Sequence, residues 1–177
     1  NRKIQSMRWG FIPHWATNRR NGINMIKTRS ESIIEKPAFR NLIKSQRCIV
    51  LADGYYEWMM KGTTKQPFYI HLPKKQILPL AGLWDQWIDH KQKEWLSYTI
   101  ITTESSIQLN HIHNRMPVIK NYDDIDEWID TQSKTIRALE LLKPYPDELV
   151  FYPVSTFVNS YNNNALKCIT PVTLKDQ

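Results

Sequence analysis

Two segments of the sequence, far apart along the chain, each place ionisable side chains next to an apolar run. In the first, Glu57 lies between Tyr56 and Trp58. In the second, His113 and Arg115 are separated by a single residue. A carboxylate beside aromatic rings and an imidazole beside a guanidinium are the groups that acid–base chemistry on an anionic substrate requires. The sequence therefore predicts that Glu57 and His113 transfer protons in one site.

The alternation of a β-strand determines the surroundings of Glu57. If residues 55–60 form a strand, Tyr55, Glu57 and Met59 share one face, and Tyr56 and Trp58 share the other. A cleft on the first face would remove water from the carboxylate and favour its protonated form. The alternative is a glutamate on a solvated strand face, and the periodicity is compatible with both.

The spacing of His111 and His113 is compatible with a metal site in which Glu57 or Asp53 is the third ligand. Only the spacing supports this interpretation, because a junction between a helix and a loop does not hold two imidazoles on one side as a strand would. We therefore expect neither a metal nor a cofactor. A single His113 beside Arg115 fits proton transfer next to a bound phosphate better.

Two arginines and one tryptophan are candidates for nucleic-acid contacts. Arg29 and Arg115 each belong to a short extended segment, where a guanidinium can bind phosphate oxygens through two parallel hydrogen bonds. Trp15, after Pro13 and His14, can present its ring to a base. The alternative is that the arginines are ordinary surface charges or form ion pairs within the protein.

The elements that must position these residues are mostly strands. Apolar alternation and turn residues predict few helices, and strands follow one another without the βαβ alternation of a parallel sheet. We therefore expect a strand-dominated α+β fold, with a mixed or antiparallel, barrel-like sheet and short flanking helices. The predicted strands cover residues 7–12, 25–29, 47–52, 55–60, 68–72, 79–88, 95–102, 118–119 and 150–154, a polar loop covers 16–24, and the predicted helices start at Pro37 and span 103–111, 123–129 and 133–142.

The composition is that of one soluble globular domain. The chain has 177 residues, 41% of them hydrophobic and 23% charged, which favours a single domain over residues 1–177 with a substantial core. The net charge of +7 favours an anionic partner such as nucleic acid. No apolar run reaches the roughly 20 residues that a membrane-spanning helix needs, so we expect no membrane partner and a location in the cytoplasm. The two cysteines, Cys48 and Cys168, have no metal-type spacing and are expected to be reduced.

Seven segments, in order along nearly the whole chain, resemble the SOS response-associated peptidase (SRAP) family. They include the arginine, carboxylate and imidazole segments already singled out. The matching stretches are Arg8-Trp9-Gly10-Phe11-Ile12-Pro13-His14-Trp15, Lys27-Thr28-Arg29-Ser30-Glu31-Ser32, Pro37-Ala38-Phe39-Arg40, Arg47 through Trp58, Ile101-Thr102-Thr103, Ile112-His113-Asn114-Arg115-Met116-Pro117, and Val154-Ser155 with Val158-Asn159.

The resemblance implies a DNA-damage protein that binds single-stranded DNA and joins covalently to abasic sites, with an associated autoproteolytic peptidase activity. In that family a cysteine after the initiator methionine attacks the ring-opened sugar aldehyde and forms a Schiff base, then a thiazolidine. The family glutamate and histidine map onto Glu57 and His113. The resemblance further implies that abasic single-stranded DNA is the partner, that the protein is a nucleoid-associated monomer, and that its DNA-contacting residues are Arg29, Arg115, Trp15, Asn114 and Met116.

The sequence departs from the family pattern in two places. The family's Met-Cys-Gly-Arg start does not appear, so the chain is interpreted as a fragment that is expected to be inactive in crosslinking without that cysteine. In addition, Lys27-Thr28-Arg29 replaces the usual Asn-Ala-Arg. An ammonium group donates hydrogen bonds but accepts none, so the geometry around the sugar aldehyde is expected to differ from the family's. Lys27 is predicted to take a catalytic role, in which desolvation of its amine allows imine formation with the aldehyde. The alternative is that Lys27 contacts a phosphate and takes no part in the chemistry.

Two other function classes are compatible with the sequence. A binding module could hold single-stranded DNA through Arg29, Arg115 and Trp15 without any chemistry. A metal-dependent hydrolase could use His111, His113 and Glu57. The coding sequence upstream of Asn1 distinguishes the crosslinking protein from the binding module, and a metal analysis of the purified protein tests the hydrolase.

Overall fold

The computed structural model of the chain describes residues 2–19 and 25–174. The predicted loop at 16–24 falls within the described residues only up to Arg19. The chain divides into two compact units, each built from three segments. The first unit comprises Asn1–Val50, Pro79–Thr103 and Pro117–Pro144, and the second comprises Leu51–Leu78, Glu104–Met116 and Tyr145–Gln177. The single domain expected over residues 1–177 remains a prediction.

Strands dominate the described part of the chain, as the sequence predicts. The strands are β1 (Arg8–Trp9), β2 (Lys27–Arg29), β3 (Arg47–Ala52), β4 (Tyr55–Lys61), β5 (Thr64–His71), β6 (Leu78–Ile88), β7 (Glu94–Glu104), β8 (Arg115–Pro117) and β9 (Val150–Pro153). The α-helices are short: α1 (Leu42–Ser45), α2 (Ile125–Ile129) and α3 (Thr135–Glu140). The expected strand-dominated α+β class is confirmed.

The larger sheet is mixed and is organised around β7. Strands β1 and β2 pair with β7 in parallel, and β6 pairs with it in antiparallel orientation. Strand β3 follows β6, and β8 also pairs with β7. The first half of β6 is buried without interruption, as expected for a strand covered on both faces. A Cβ atom at Gly82 would lie 2.9 Å from the carbonyl oxygen of Thr99, so the close approach of β6 and β7 requires glycine there.

The core of the first unit lies between this sheet and the short helices. Phe11, Ile33, Ile101 and Trp128 are fully buried in it. Arg47 is buried beside this core, at 5% exposure. Its guanidinium donates hydrogen bonds to the carbonyl oxygens of residues 43, 44, 128 and 130 and to the hydroxyl of Ser133. A single buried cation thus joins the start of β3 to the α1 and α2 regions.

The second unit contains a three-stranded antiparallel sheet among its described residues, in the order β4-β5-β9. A two-residue turn joins β4 to β5, and Gly62 adopts a φ of 59° in it, a conformation that costs little only for glycine. The turn forms between the strands that the sequence predicts at 55–60 and 68–72, and β5 begins earlier than predicted, at Thr64.

The segment before His113 differs from the prediction. A helix was expected over residues 103–111, but β7 extends to Glu104 and residues 107–112 form hydrogen-bonded turns. Ser106 accepts hydrogen bonds from the backbone of Leu109 and Asn110, and Leu109 accepts from Ile112 and His113. Each is an isolated helical turn, because the segment is too short to repay the cost of nucleating a helix. The helix expected from Pro37 is likewise reduced to α1.

None of the helices in the described ranges is both long and apolar enough to cross a membrane.

Candidate functional site

The register of the β4-β5-β9 sheet assigns Glu57 to one face and its aromatic neighbours to the other. Glu57 pairs with Phe68 and Tyr55 pairs with Ile70, and directly paired residues of an antiparallel sheet point to the same side. Tyr55, Glu57 and Ile70 accordingly line one pocket. The predicted separation of Tyr55 and Glu57 from Tyr56 and Trp58 is confirmed.

The turns at 107–112 bring His113 to the same pocket. The backbone nitrogen of His113 donates to the carbonyl oxygen of Leu109 over 3.1 Å, and Leu109 and Ile112 are almost completely buried. Because Leu109 and Ile112 are buried on one side of the turn, the imidazole of His113 points toward β4. Ser105, Leu109, Ile112, His113 and Arg115 complete the lining.

Glu57 and His113 come together although they are far apart in the sequence. The Oε2 atom of Glu57 lies 3.7 Å from Nδ1 of His113. The glutamate side chain is 19% exposed and the histidine side chain 37%. A carboxylate largely shielded from water faces an imidazole that solvent and substrate can reach. The separation is longer than a hydrogen bond, and a shift of either side chain by about 0.5 Å would bring the two groups within reach for proton transfer.

The backbone of Arg115 fixes the imidazole in both of its protonation states. Nδ1 of His113 lies 3.1 Å from the nitrogen and 3.1 Å from the oxygen of that residue. An unprotonated Nδ1 accepts from the Arg115 N–H, and a protonated Nδ1 donates to the Arg115 carbonyl. The ring can therefore gain or lose a proton without losing its orientation.

Two further polar groups line the same pocket. The hydroxyls of Tyr55 and Ser105 are buried and have no hydrogen-bond partner among the described residues. Burial, and after it the charge of Glu57, raises the pKa of Tyr55, so this hydroxyl is protonated at neutral pH. The pocket is closed around both hydroxyls, so their hydrogen-bonding capacity is unused in this conformation. Strand alternation predicts that Tyr55 lies on the same face as Glu57. Ser105 was not predicted to lie in this pocket, because a helix was expected over residues 103–111.

The first unit carries the other predicted site residues. Lys27 and Arg29 on β2 are exposed, with the buried Thr28 between them, and Trp15 is 58% exposed. Because the Lys27 side chain lies in solvent, the desolvation on which its catalytic role depends is absent here. The approach of Lys27, Arg29 and Trp15 to the Glu57–His113 pair remains a prediction.

The residues flanking Arg115 are in different environments. Asn114 is exposed, and its carbonyl oxygen accepts a hydrogen bond from the Ser105 backbone. Met116 has no exposed surface, and its sulfur accepts from the Ser106 backbone. Met116 is therefore buried in this structure, and its contact with DNA stays a prediction.

His111 is directed away from the acid–base pair. Its ring packs against Phe151 at a centroid distance of 5.6 Å. Across residues 2–19 and 25–174, no three histidine, cysteine or acidic side chains are grouped closely enough to hold a metal ion. The metal site considered from the spacing of His111 and His113 therefore has no complete ligand set in this part of the chain.

The relatives of this chain match nearly all of it, while it spans only part of each of them. It is 40% identical to the abasic site processing protein YoaM of Bacillus subtilis over 96% of the chain and 76% of that protein. It is 36% identical to the abasic site processing protein HMCES of Gallus gallus, of which it spans 59%. A crystal structure of a protein from Bacteroides thetaiotaomicron superposes with a TM-score of 0.85 at 28% identity, covering 94% of this chain and 76% of that one.

The family comparison agrees with the site. The family model described as SOS response associated peptidase (SRAP) matches residues 1–161. That range contains Glu57, His113 and all seven of the segments on which the resemblance of the sequence to this family depends. From the motifs, the fold and the match over most of its length, the chain belongs to the SOS response associated peptidase family.

Proposed function

We propose that this chain is the abasic-site-processing part of a DNA-damage protein, and that it acts on abasic sites in single-stranded DNA. The observation that carries the proposal is the 3.7 Å separation between Glu57 Oε2 and His113 Nδ1. Two relatives named abasic site processing proteins, at 40% and 36% identity, support the substrate class. The net charge of +7 suits a polyanionic substrate.

The acid–base pair would open the deoxyribose ring. One member accepts the proton of the C1′ hydroxyl while the other donates a proton to O4′, so the C1′–O4′ bond breaks and an aldehyde forms. His113, held in place in either protonation state, suits transfers in both directions.

The covalent step would belong to an N-terminal cysteine of the complete protein. Its amine adds to the aldehyde carbon, one water molecule leaves, and a Schiff base results. Its thiol then adds to the C=N carbon, the thiol proton passes to nitrogen, and a thiazolidine ring forms. Both addition and water loss require proton transfer, which Glu57 and His113 can supply. The same cysteine would be exposed by autoproteolytic removal of the residue before it.

DNA would be held by exposed cations and an aromatic ring. Arg115 adjoins the acid–base pair in sequence and lines its pocket. Arg29 and Trp15 are exposed on the first unit, where a guanidinium can bind phosphate and an indole can stack on a base.

The test is adduct formation by the complete protein, including the residues encoded upstream of Asn1. The protein is incubated with a single-stranded oligonucleotide that carries one abasic site, and the products are measured by intact mass spectrometry. We expect an adduct whose mass is the sum of the two components less one water, and no adduct with the matching undamaged oligonucleotide. Binding to both oligonucleotides without any adduct would favour a non-covalent module.

A further inference from the structure

The second unit has another pocket, on the sheet face opposite Glu57. It has a volume of about 410 Å³, which is within the range of about 300–1,000 Å³ typical of small-ligand sites. We call it the tyrosine pocket. It is lined by Asp53, Gly54, Tyr56, Tyr69, Asn164, Ala165, Leu166, Cys168 and Ile169.

The aromatic wall of the tyrosine pocket is a cluster of packed rings. The ring of Tyr69 lies 5.3 Å from that of Tyr56, 5.5 Å from that of His71 and 5.9 Å from that of Tyr152. Neighbouring rings on three sides hold Tyr69 in place. Tyr69 itself is buried, at 7% exposure, so it supports the half-buried ring of Tyr56. The Tyr56 ring is held from behind and can stack on another planar group at little cost in conformational entropy.

Gly54 allows the Tyr69 ring to pack against the backbone. A Cβ atom built on Gly54 would lie 2.3 Å from Cζ and 2.4 Å from the hydroxyl oxygen of Tyr69. Both distances are far below contact, so any other residue at position 54 would displace the ring. The glycine of the Asp53-Gly54 dipeptide thus shapes the pocket as well as the turn.

The tyrosine pocket combines one carboxylate with two phenol groups. Asp53 is the one charged side chain among the residues that line it. Burial, followed by the charge of Asp53, raises the pKa of Tyr69 to about 12, and burial is also the first cause of the raised pKa of Tyr56. Both phenols therefore remain neutral, and the carboxylate acts as the acceptor.

We propose that the tyrosine pocket binds a nucleobase of the DNA substrate by stacking on Tyr56, which the buried Tyr69 supports, with a preference for guanine set by the exposed carboxylate of Asp53. Guanine presents two adjacent N–H donors on its Watson–Crick edge, and a carboxylate can accept both. Thymine presents one N–H between two carbonyl oxygens, which the carboxylate repels.

The charge of the whole chain favours a base over a cationic ligand. A free organic cation would also suit a carboxylate beside aromatic rings, but the net charge of +7 opposes its approach. The same charge attracts a polyanion, whose bases are neutral and planar. That the base comes from DNA rests on the proposed function. The binding of a base in the pocket, and the preference for guanine, do not depend on an abasic site.

Nucleosides test the proposal because they lack phosphate and so remove the contribution of the basic surface. Deoxyguanosine, thymidine and N-acetyl-arginine amide are each titrated into the protein. The ring resonances of Tyr56 and Tyr69 are followed by NMR. They are assigned by comparison with the Tyr56→Phe and Tyr69→Phe variants. We expect deoxyguanosine to shift both resonances and to bind at least fivefold more tightly than thymidine. Asp53→Asn should reduce this ratio to below twofold, and Gly54→Ala should weaken binding of both nucleosides.

Asp147→Asn is the matched control, because Asp147 is an exposed carboxylate of the same unit outside the pocket. It should leave the preference unchanged. Equal binding of the two nucleosides, the absence of any shift, or binding of the arginine derivative alone would overturn the proposal. Since no abasic site is involved, these results stand apart from the success or failure of adduct formation.

Discussion

At the scale of single residues, the position of His113 depends on the backbone as much as on Glu57. The imidazole has a backbone partner from Arg115 in each protonation state, and Glu57 lies within 3.7 Å. A ring fixed in this way can pass a proton in either direction without reorienting. The proposed ring opening and Schiff-base formation each require that a proton be removed from one reacting group and donated to another. One pair of side chains held in place can make both transfers.

Lys27 provides a prediction at the same scale. Its side chain is exposed on β2, which favours contact with a phosphate over imine formation. In the complete protein with its N-terminal cysteine replaced by alanine, borohydride should trap any Schiff base at the N-terminal amine. Lys27→Asn should weaken DNA binding and leave the trapped fraction unchanged. Peptide mapping that finds a trapped adduct on Lys27 would restore its catalytic role.

At the scale of elements, one antiparallel sheet serves two purposes. The face with Tyr55 and Glu57 carries the acid–base pair, and the face with Tyr56 and Tyr69 carries the tyrosine pocket. Strand periodicity alone predicts this division, because alternate residues must point to opposite faces. The bounds of β3 at Arg47–Ala52 also agree with the apolar run and the turn that follows it.

The sequence could not predict what depends on contacts between distant segments. The strand predicted at residues 7–12 is reduced to β1, because only Arg8 and Trp9 find ladder partners on β7. The burial of Met116 likewise depends on packing that the short segment around Arg115 does not reveal. The tyrosine pocket depends on residues 164–169, which folding brings against β4 and β5.

Arg47 gives a prediction about how elements are joined. Its buried guanidinium bonds to four carbonyl oxygens and the Ser133 hydroxyl, and burial lowers the pKa of this group. Arg47→Ala should lower the free energy of unfolding by about 3 kcal/mol or more, since each buried carbonyl left without a partner costs about 1–3 kcal/mol. Urea unfolding followed by tryptophan fluorescence measures the change.

Arg137→Ala is the control for Arg47. Arg137 is exposed, and it forms ion pairs with Glu127 and Glu140 that solvent screens. Its replacement should leave the urea midpoint nearly unchanged. Equal losses from both substitutions would mean that Arg47 does not hold the elements together in the way proposed.

At the scale of the whole molecule, the excess of 24 basic over 17 acidic residues does not by itself identify a binding site. A diffuse positive field draws DNA to the protein, but only specific contacts release counterions in fixed number. The proposed site therefore predicts that a few cations dominate the salt dependence of binding.

Arg29→Ala and Arg115→Ala should each weaken binding of single-stranded DNA. Each should also reduce the slope of log affinity against log salt concentration by about 0.7, the value for one phosphate on a single strand. Lys74→Ala is the control, because Lys74 is exposed and lies outside the proposed contacts. Fluorescence anisotropy over a range of salt concentrations measures the slopes. Small and equal effects at all three positions would show that the charge acts diffusely.

The central claim is that Glu57 and His113 act together on one reacting sugar. The direct measurement is the single-turnover rate of adduct formation between the complete protein and abasic single-stranded DNA, for wild type, Glu57→Gln, His113→Gln and the double variant. Each single substitution should slow the reaction by about 10²-fold or more with DNA affinity retained. The double variant should be little slower than either single one. Rates within twofold of wild type, or losses that multiply in the double variant, would contradict the account.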